Sequence, residues 1–369
     1  MPDARVPDSP ALASVREALD GADRLVLSSH LRPDGDALGS EIALALALRA
    51  RGKEVLVLNV DPPPRTLDWF VEGQPAGLVQ TYEKGSLPQA EAVASADLLV
   101  VLDTNAKHRL GDVGDLFTQA SAPVVLIDHH PDPETWFDLA CTRTEAAATA
   151  EIVYDLVAGW DTGLLDAAVA TALYVGIVTD TGSFRYRATT PRTHAIVADI
   201  LDRGDISPEP IHVAVFDGRS RGGLRLLAAS LQTIQTHYGG RLATMWVDGE
   251  MIRRSGALFD ETEGLISYAL GLDGVVAAVI FLEVPSGVKA SFRSKGDCPI
   301  NRWAAQFGGG GHANASGAFI KGGQLRRTIK DVVDAAPAHV MADPSAAPED
   351  DTLTDADLSL LASFKGSVD

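Results

Sequence analysis

The chain has 369 residues, enough for two domains at about 100 to 200 residues each. Apolar residues make up 46% and charged residues 22%, which excludes wholesale disorder, a collagen-like chain and a coiled coil. Acids outnumber bases by 50 to 31, and the formal charge of -19 argues against non-specific affinity for long nucleic acid.

The first ten residues lack a basic start followed by an apolar stretch. The longest apolar runs, 42–48 and 275–282, are too short to span a bilayer, so neither secretion nor membrane insertion is expected. The two cysteines, Cys141 and Cys298, cannot build a disulfide framework or a thiolate zinc site, and a cytoplasmic location fits best.

In chain order, β-type runs at 24–29, 54–59, 97–102 and 123–127 alternate with helical stretches, the clearest being 37–50, which ends at Gly52. This is the pattern of a doubly wound parallel sheet covered by helices. Mostly helical segments follow near 147–158, 164–179, 191–203 and 221–233. Strand signals return at 243–247, 275–284 and 288–293, which predicts a smaller second α/β unit. The expected organisation is a catalytic domain over 1–190, a helical connector over 191–239, a second domain over 240–338 and an acidic tail over 339–369. The crevice between two such domains is a natural ligand site.

Charge is unevenly spread. Residues 343–369 carry seven acids and one base, whereas 289–330 carry eight bases and one acid. A basic segment in an acidic protein suggests a bound anion, although a solvated basic surface would have the same composition.

Chemistry concentrates in five clusters. The first, Ser29-His30-Leu31-Arg32-Pro33-Asp34-Gly35-Asp36, follows the first strand and opens a helix. A helix cap would account for one of its acids but not for the whole set, and two carboxylates this close repel unless a cation intervenes. The second is Asp103 in Leu102-Asp103-Thr104-Asn105, and the third is Asp128-His129-His130. Each follows a buried strand, so in a parallel sheet all three lie on one edge, where open α/β folds place their ligands. A turn residue could explain Asp103 alone. The fourth is Asp180 in Thr179-Asp180-Thr181-Gly182-Ser183-Phe184-Arg185-Tyr186. Oxygen and imidazole donors of this kind suit a metal such as manganese. Their number suggests two ions roughly 3.5 to 4 Å apart, the arrangement of a phosphate-ester hydrolase.

The fifth cluster, in the basic segment, joins Arg293 to Gly308-Gly309-Gly310-Gly311-His312. Consecutive glycines let backbone N–H groups approach an anion, which reads as a phosphate cradle, with a flexible loop as the alternative. It is not a dinucleotide fingerprint, because it follows a helix-like stretch. His108, His194, His212, His237 and His339 lack acidic neighbours at strand ends and are expected to be structural or surface residues. No G-x-S-x-G, P-loop or H-E-x-x-H occurs.

The series SHLRPDGDALGS, LDTN, DHH, TDTGSFRY, FRSKG and FGGGGHANASG, in this order over about residues 10–338, resembles the DHH/DHHA1 phosphoesterase family. Within it, the pattern is similar to the stand-alone NrnA type, bifunctional oligoribonucleases and 3',5'-bisphosphate nucleotide phosphatases. One departure is Ala313-Asn314-Ala315, where the family usually has an apolar or Pro-containing stretch.

The resemblance implies two Mn2+ per active site. His30, Asp34 and Asp103 would hold one, and Asp36, Asp103, His129 and Asp180 the other. Asp128 would orient a ligand and His130 would face the scissile phosphate. Hydroxide shared by the metals would attack phosphorus in line. Arg293, Gly309, Gly310, Gly311 and His312 would contact substrate.

The implied activity is hydrolysis of short oligoribonucleotides (nanoRNA) to mononucleotides and of 3'-phosphoadenosine 5'-phosphate (pAp) to AMP. The implied partners are short single-stranded RNA and small nucleotides, with no membrane and no long duplex; a homodimer is left open. The competing readings are a cyclic di-AMP or pApA phosphodiesterase and, more remotely, a pyrophosphatase, a RecJ-type exonuclease or a catalytically silent nucleotide sensor.

Overall fold

The computed structural model describes residues 9–341. Of the acidic tail expected over 339–369, residues 342–369 lie outside the described residues, and with them the short helix that the sequence predicts over 353–364. The chain divides into two compact units, Met1–Gly218 and Arg219–Asp369. No described helix is long and apolar enough to cross a membrane.

The first unit is built on six strands, β1 (Arg24–Ser28), β2 (Glu54–Asn59), β3 (Val79–Thr81), β4 (Leu98–Leu102), β5 (Val124–Asp128) and β6 (Leu139–Thr142). Their order is β3-β2-β1-β4-β5-β6, and every pairing is parallel. This is the doubly wound sheet expected from the alternation of apolar runs and helices. β4 and β5 are buried along their whole length because helices cover both faces. Alternate residues serve the two faces: Leu27, Val100, Leu102 and Ile127 enter one core, while Val26, Leu99, Val101 and Leu126 enter the other.

Helix Gly35–Ala50 starts two residues before the predicted stretch. Asp34 caps it, its Oδ1 accepting the N–H groups of Asp36 and Ala37 at 3.1 Å. The cap draws Asp36 into the first turn. This helix lies against helix Ala167–Asp180, and the contact depends on small residues: a Cβ on Gly176 would come within 2.7 Å of the Ala150 Cβ and 3.0 Å of Asp36 Oδ1. Close approach at Gly176 is therefore what brings the segment carrying Asp180 up to Asp36. Helices Pro191–Gly204 and Pro208–Phe216 add Ile196, Val197, Ile200, Ile211 and Val215 to the same core.

The second unit contains β7 (Gln235–His237), β8 (Leu242–Val247), β9 (Ala277–Val284), β10 (Gly287–Ser294), β11 (Gly310–His312) and β12 (Ala315–Lys321). Their order is β11-β12-β10-β9-β8-β7, with β8 and β9 parallel and the other pairs antiparallel. One face packs Phe281, Phe292 and Trp303; the other packs Met245, Ile280 and Leu282.

Candidate active site

Because the first sheet is parallel, the C-terminal ends of β1, β4 and β5 share one edge, at the point where the strand order reverses between β1 and β4. His30 follows β1, Asp103 follows β4, and Asp128, His129 and His130 end β5 or follow it. Asp103 takes a left-handed backbone conformation, φ 57°, which Asp tolerates better than most residues. The strained turn points its carboxylate among three imidazoles. Its Oδ2 lies 3.4 Å from His30 Nε2, and its Oδ1 lies 3.5 Å from His129 Nε2 and 3.8 Å from His130 Nδ1.

The remaining acids come from the two packed helices. Asp34 Oδ2 sits 3.8 Å from His30 Nε2, so one oxygen caps a helix while the other faces the cluster. Asp180 Oδ2 lies 3.5 Å from His129 Nε2. Asp36 is buried, and its two oxygens accept the backbone N–H groups of Thr149 at 2.7 Å and Ala150 at 3.0 Å, at the start of helix Thr149–Trp160.

Three sets of donors are close enough to hold a metal ion: His30, Asp34 and Asp103; Asp36, His129 and Asp180; and Asp103, His129 and His130. The five histidines set aside from the sequence are in none of these sets.

The histidine rings are oriented by their other nitrogens. His30 Nδ1 is 2.8 Å from the Leu31 carbonyl and His129 Nδ1 is 3.2 Å from the Ala146 carbonyl, so each ring turns Nε2 toward the carboxylates. That is the usual arrangement of a metal-binding imidazole. His130 differs, with Nδ1 held by Asp128 Oδ1 at 2.8 Å.

Electrostatics shows how far acid exceeds base. Burial opposes a charge on His30, yet its bond to Asp103 and the charges of Asp34 and Asp103 push its pKa up to about 9. Burial also opposes a charge on Asp103, but His30, His129 and His130 hold that carboxyl well below the usual range. Burial, followed by the charge of Asp103, raises Asp36 far above an ordinary carboxyl. Burial raises Asp180 to about 7, with His129 opposing and Asp103 and Asp34 adding to the rise. His130 is also raised, because Asp128 and Asp103 outweigh its burial. Among the described residues no Lys or Arg forms an ion pair with Asp34, Asp36, Asp103 or Asp180. The set thus has the composition and geometry of a cation site.

Sequence reasoning missed several supporting residues. Thr149 donates its hydroxyl to Asp103 Oδ1 at 3.0 Å. The buried Glu41 accepts from Asn59 Nδ2 at 2.7 Å, and Asn59 Oδ1 accepts the N–H of Ser29 at 3.0 Å, which braces the residue before His30. No spacing rule marks these positions, since each contacts the site only through the packing of distant segments.

Arg293 and the glycine run lie in the second unit. The glycines do not form an irregular loop: after a turn at Gly308, Gly310–His312 is an edge strand paired with β12. Arg293 on β10 and His312 on β11 both align with Ala315, one on each side of β12. A Cβ on Gly309 would fall 2.1 Å from the Gly317 carbonyl oxygen, whereas one on Gly310 would meet nothing within 4 Å. Gly309 is therefore required by sheet packing, and the Gly310 backbone borders open space.

Residues 24–177 match the DHH family, N-terminal domain, and residues 250–337 match the DHHA1 domain. The bifunctional oligoribonuclease and PAP phosphatase NrnA of Thermus thermophilus is 32% identical over 328 residues, 88% of this chain and 92% of that protein. The chain belongs to the DHH/DHHA1 phosphoesterase family. As a family member it is a hydrolase of phosphoester bonds, and its donor sets stand where the two motif-bearing helices meet the sheet edge. The enzyme of the same description from Bacillus subtilis is 28% identical, over 81% of this chain and 90% of its own. A crystal structure of an exopolyphosphatase-related protein from Bacteroides fragilis superposes with a TM-score of 0.82 at 26% identity, over 88% of this chain and 96% of that one.

Proposed function

We propose that the chain hydrolyses short oligoribonucleotides to mononucleotides and 3'-phosphoadenosine 5'-phosphate to AMP, with two Mn2+ as cofactors. The observation that carries this reading is the position of Asp103, whose two oxygens face different imidazoles and which belongs to two of the three donor sets. Similarity over most of both chains to bifunctional enzymes of that description supports the substrate class.

In this reading His30, Asp34 and Asp103 hold one ion, and Asp36, Asp103, His129 and Asp180 hold the other. The residues fit the group, because acids in excess of base, some of them buried, meet imidazoles that offer Nε2. When bound, such a pair of ions lowers the pKa of water and neutralises charge on a phosphoryl group. The chain does the positioning. Asp128 takes Nδ1 of His130 and favours its charged form, so a proton on Nε2 can be offered to a phosphoryl oxygen. Thr149, through its hydroxyl, and the backbone at the start of its helix keep Asp103 and Asp36 in place. Arg293, Gly309, Gly310, Gly311 and His312 are the proposed nucleotide contacts. The proposed compartment is the cytoplasm, which the buried free thiols Cys141 and Cys298 support.

The test is a Mn2+-supported panel of pAp, pGpG, pApA, cyclic di-AMP and RNAs of two to ten residues, compared by kcat/KM. Preference for pAp and two- to five-residue RNA is expected. Preference for cyclic di-AMP, or no turnover of any member, overturns the reading.

A further inference from the structure

The loop that leaves β4 carries three adjacent basic side chains, Lys107, His108 and Arg109, and they are used differently. Lys107 pairs with Asp115 at 3.2 Å, and His108 is exposed. Arg109 is half-buried, and its guanidinium has no hydrogen bond or ion pair among the described residues. With no acceptor supplied by the described residues, its five donors are left to an acceptor brought from outside the chain. Carboxylates in excess lie nearby, yet it pairs with none of them.

The backbone shows where Arg109 stands. Its carbonyl accepts the N–H of Leu31 at 2.6 Å, and the Leu31 carbonyl lies 2.8 Å from His30 Nδ1. The loop is held from its other side as well. The Glu134 N–H donates to the Asn105 carbonyl at 3.0 Å, and the Lys107 N–H donates to Glu134 Oε2 at 2.8 Å. The buried Leu110 anchors the turn next to Arg109. The loop is therefore tied both to the segment after β1 and to the segment after β5. The positive charge of Arg109 is felt at both His30 and His130, which stand at the ends of those two strands.

We propose that Arg109 binds the non-bridging oxygens of the phosphoryl group being hydrolysed, as a catalytic residue of the first unit. A planar fork of donors suits two phosphoryl oxygens at once. Because it pairs with none of those acids its charge stays available to a substrate, and it is placed by main-chain hydrogen bonds rather than by a carboxylate it would have to release. The inference deepens the phosphoesterase reading and rests on it, but the two can fail separately.

The test uses the full chain loaded with Mn2+. Turnover of pAp is measured beside the affinity for inorganic phosphate, by calorimetry, in wild type, Arg109→Ala and Arg109→Gln. Arg109→Gln preserves much of the stem should the alanine variant fail to fold. The expected result is a fall of about 100-fold in kcat/KM, with phosphate bound about tenfold more weakly. Added guanidinium should restore part of the Arg109→Ala turnover and none of that lost in Asp103→Asn. Wild-type phosphate affinity in a folded Arg109→Gln protein overturns the assignment. If wild type turned over neither pAp nor RNA while phosphate binding still depended on Arg109, the substrate reading would fall and this inference would stand.

Discussion

Two groups of buried acids are served by the same helix, Thr149–Trp160, and they are balanced in different ways. Along its first two turns, Glu151 and Asp155 meet guanidinium groups. Arg192 bonds Glu151 at 2.8 Å and Asp155 at 2.6 Å, and Arg143 also pairs with Asp155. At its N-terminal end the helix donates to Asp36 and Asp103, which are surrounded by further acids and by imidazoles. Arginine is always charged and closes the first group permanently, so that group is framework. Histidine can give up its proton, so the second group remains able to exchange that charge for a cation. The kind of base beside a buried acid thus separates structure from chemistry.

The largest effect that would break this comparison is at Asp103. Asparagine keeps the left-handed turn but removes the charge, so Asp103→Asn should lower kcat by about 1000-fold or more without lowering Tm. Normal turnover in a steady-state assay would remove Asp103 from the centre. The framework group should respond in the opposite manner. Arg192→Ala leaves Glu151 and Asp155 without a shared partner and should cost about 3 kcal/mol of stability by urea unfolding. Its activity per folded molecule should stay within about threefold of wild type; a selective loss of turnover would show that the two groups are not separate.

Metal addition sharpens the contrast. Mn2+ at 100 times its Kd should stabilise wild type and Arg192→Ala alike by about 2.7 kcal/mol, read as a rise in Tm that chelator reverses. Asp36→Ala should lose that increment, and an undiminished rise would place the ions elsewhere.

A smaller effect depends on pH. Burial raises Glu41 to about 8, with Asn59 and Ser29 opposing. The neutral form is favoured in the folded chain, so the stability it contributes is complete below the ordinary glutamate pKa and is lost as pH climbs through about 8. In chelator, Glu41→Gln should therefore gain Tm relative to wild type between pH 6 and pH 9. A gap that stays constant or narrows would show that Glu41 is charged in the fold.

The smallest expected effects are at the glycines. Gly309→Ala forces a Cβ onto backbone and should cost about 1 to 3 kcal/mol. Gly310→Ala should leave Tm unchanged and raise the KM for pAp a few-fold. Unchanged KM in Gly310→Ala would remove that residue from the nucleotide contacts.

Much of the site was legible because strand ends are readable. Apolar runs ending in His30, Asp103 and Asp128 place those residues on one edge once the sheet is parallel, and local spacing carries that information. The Gly308–Gly311 run was legible as glycine-rich but not as a sheet edge, because the partner that makes Gly310–His312 a strand is β12, and a glycine run carries no β-type alternation. Glu41, Asn59 and Thr149 were not legible at all. Glu41 directly precedes an apolar run and is bonded to a residue 18 positions away, and Thr149 meets Asp103 across 46 positions.

By itself the sequence determined the alternation of strand and helix, the placement of acids and histidines after apolar runs, and the resemblance carried by six ordered motifs. These are local properties of the chain, written in hydrophobic period and turn chemistry. Only the tertiary structure decided which oxygen of Asp103 faces which imidazole, that Asp36 is bound by the start of a helix more than a hundred residues away, and that Arg109 has no partner among the described residues. Those facts depend on close packing at Gly176 and on the order of strands in a sheet, and side chains meet there only after folding has excluded water from between them.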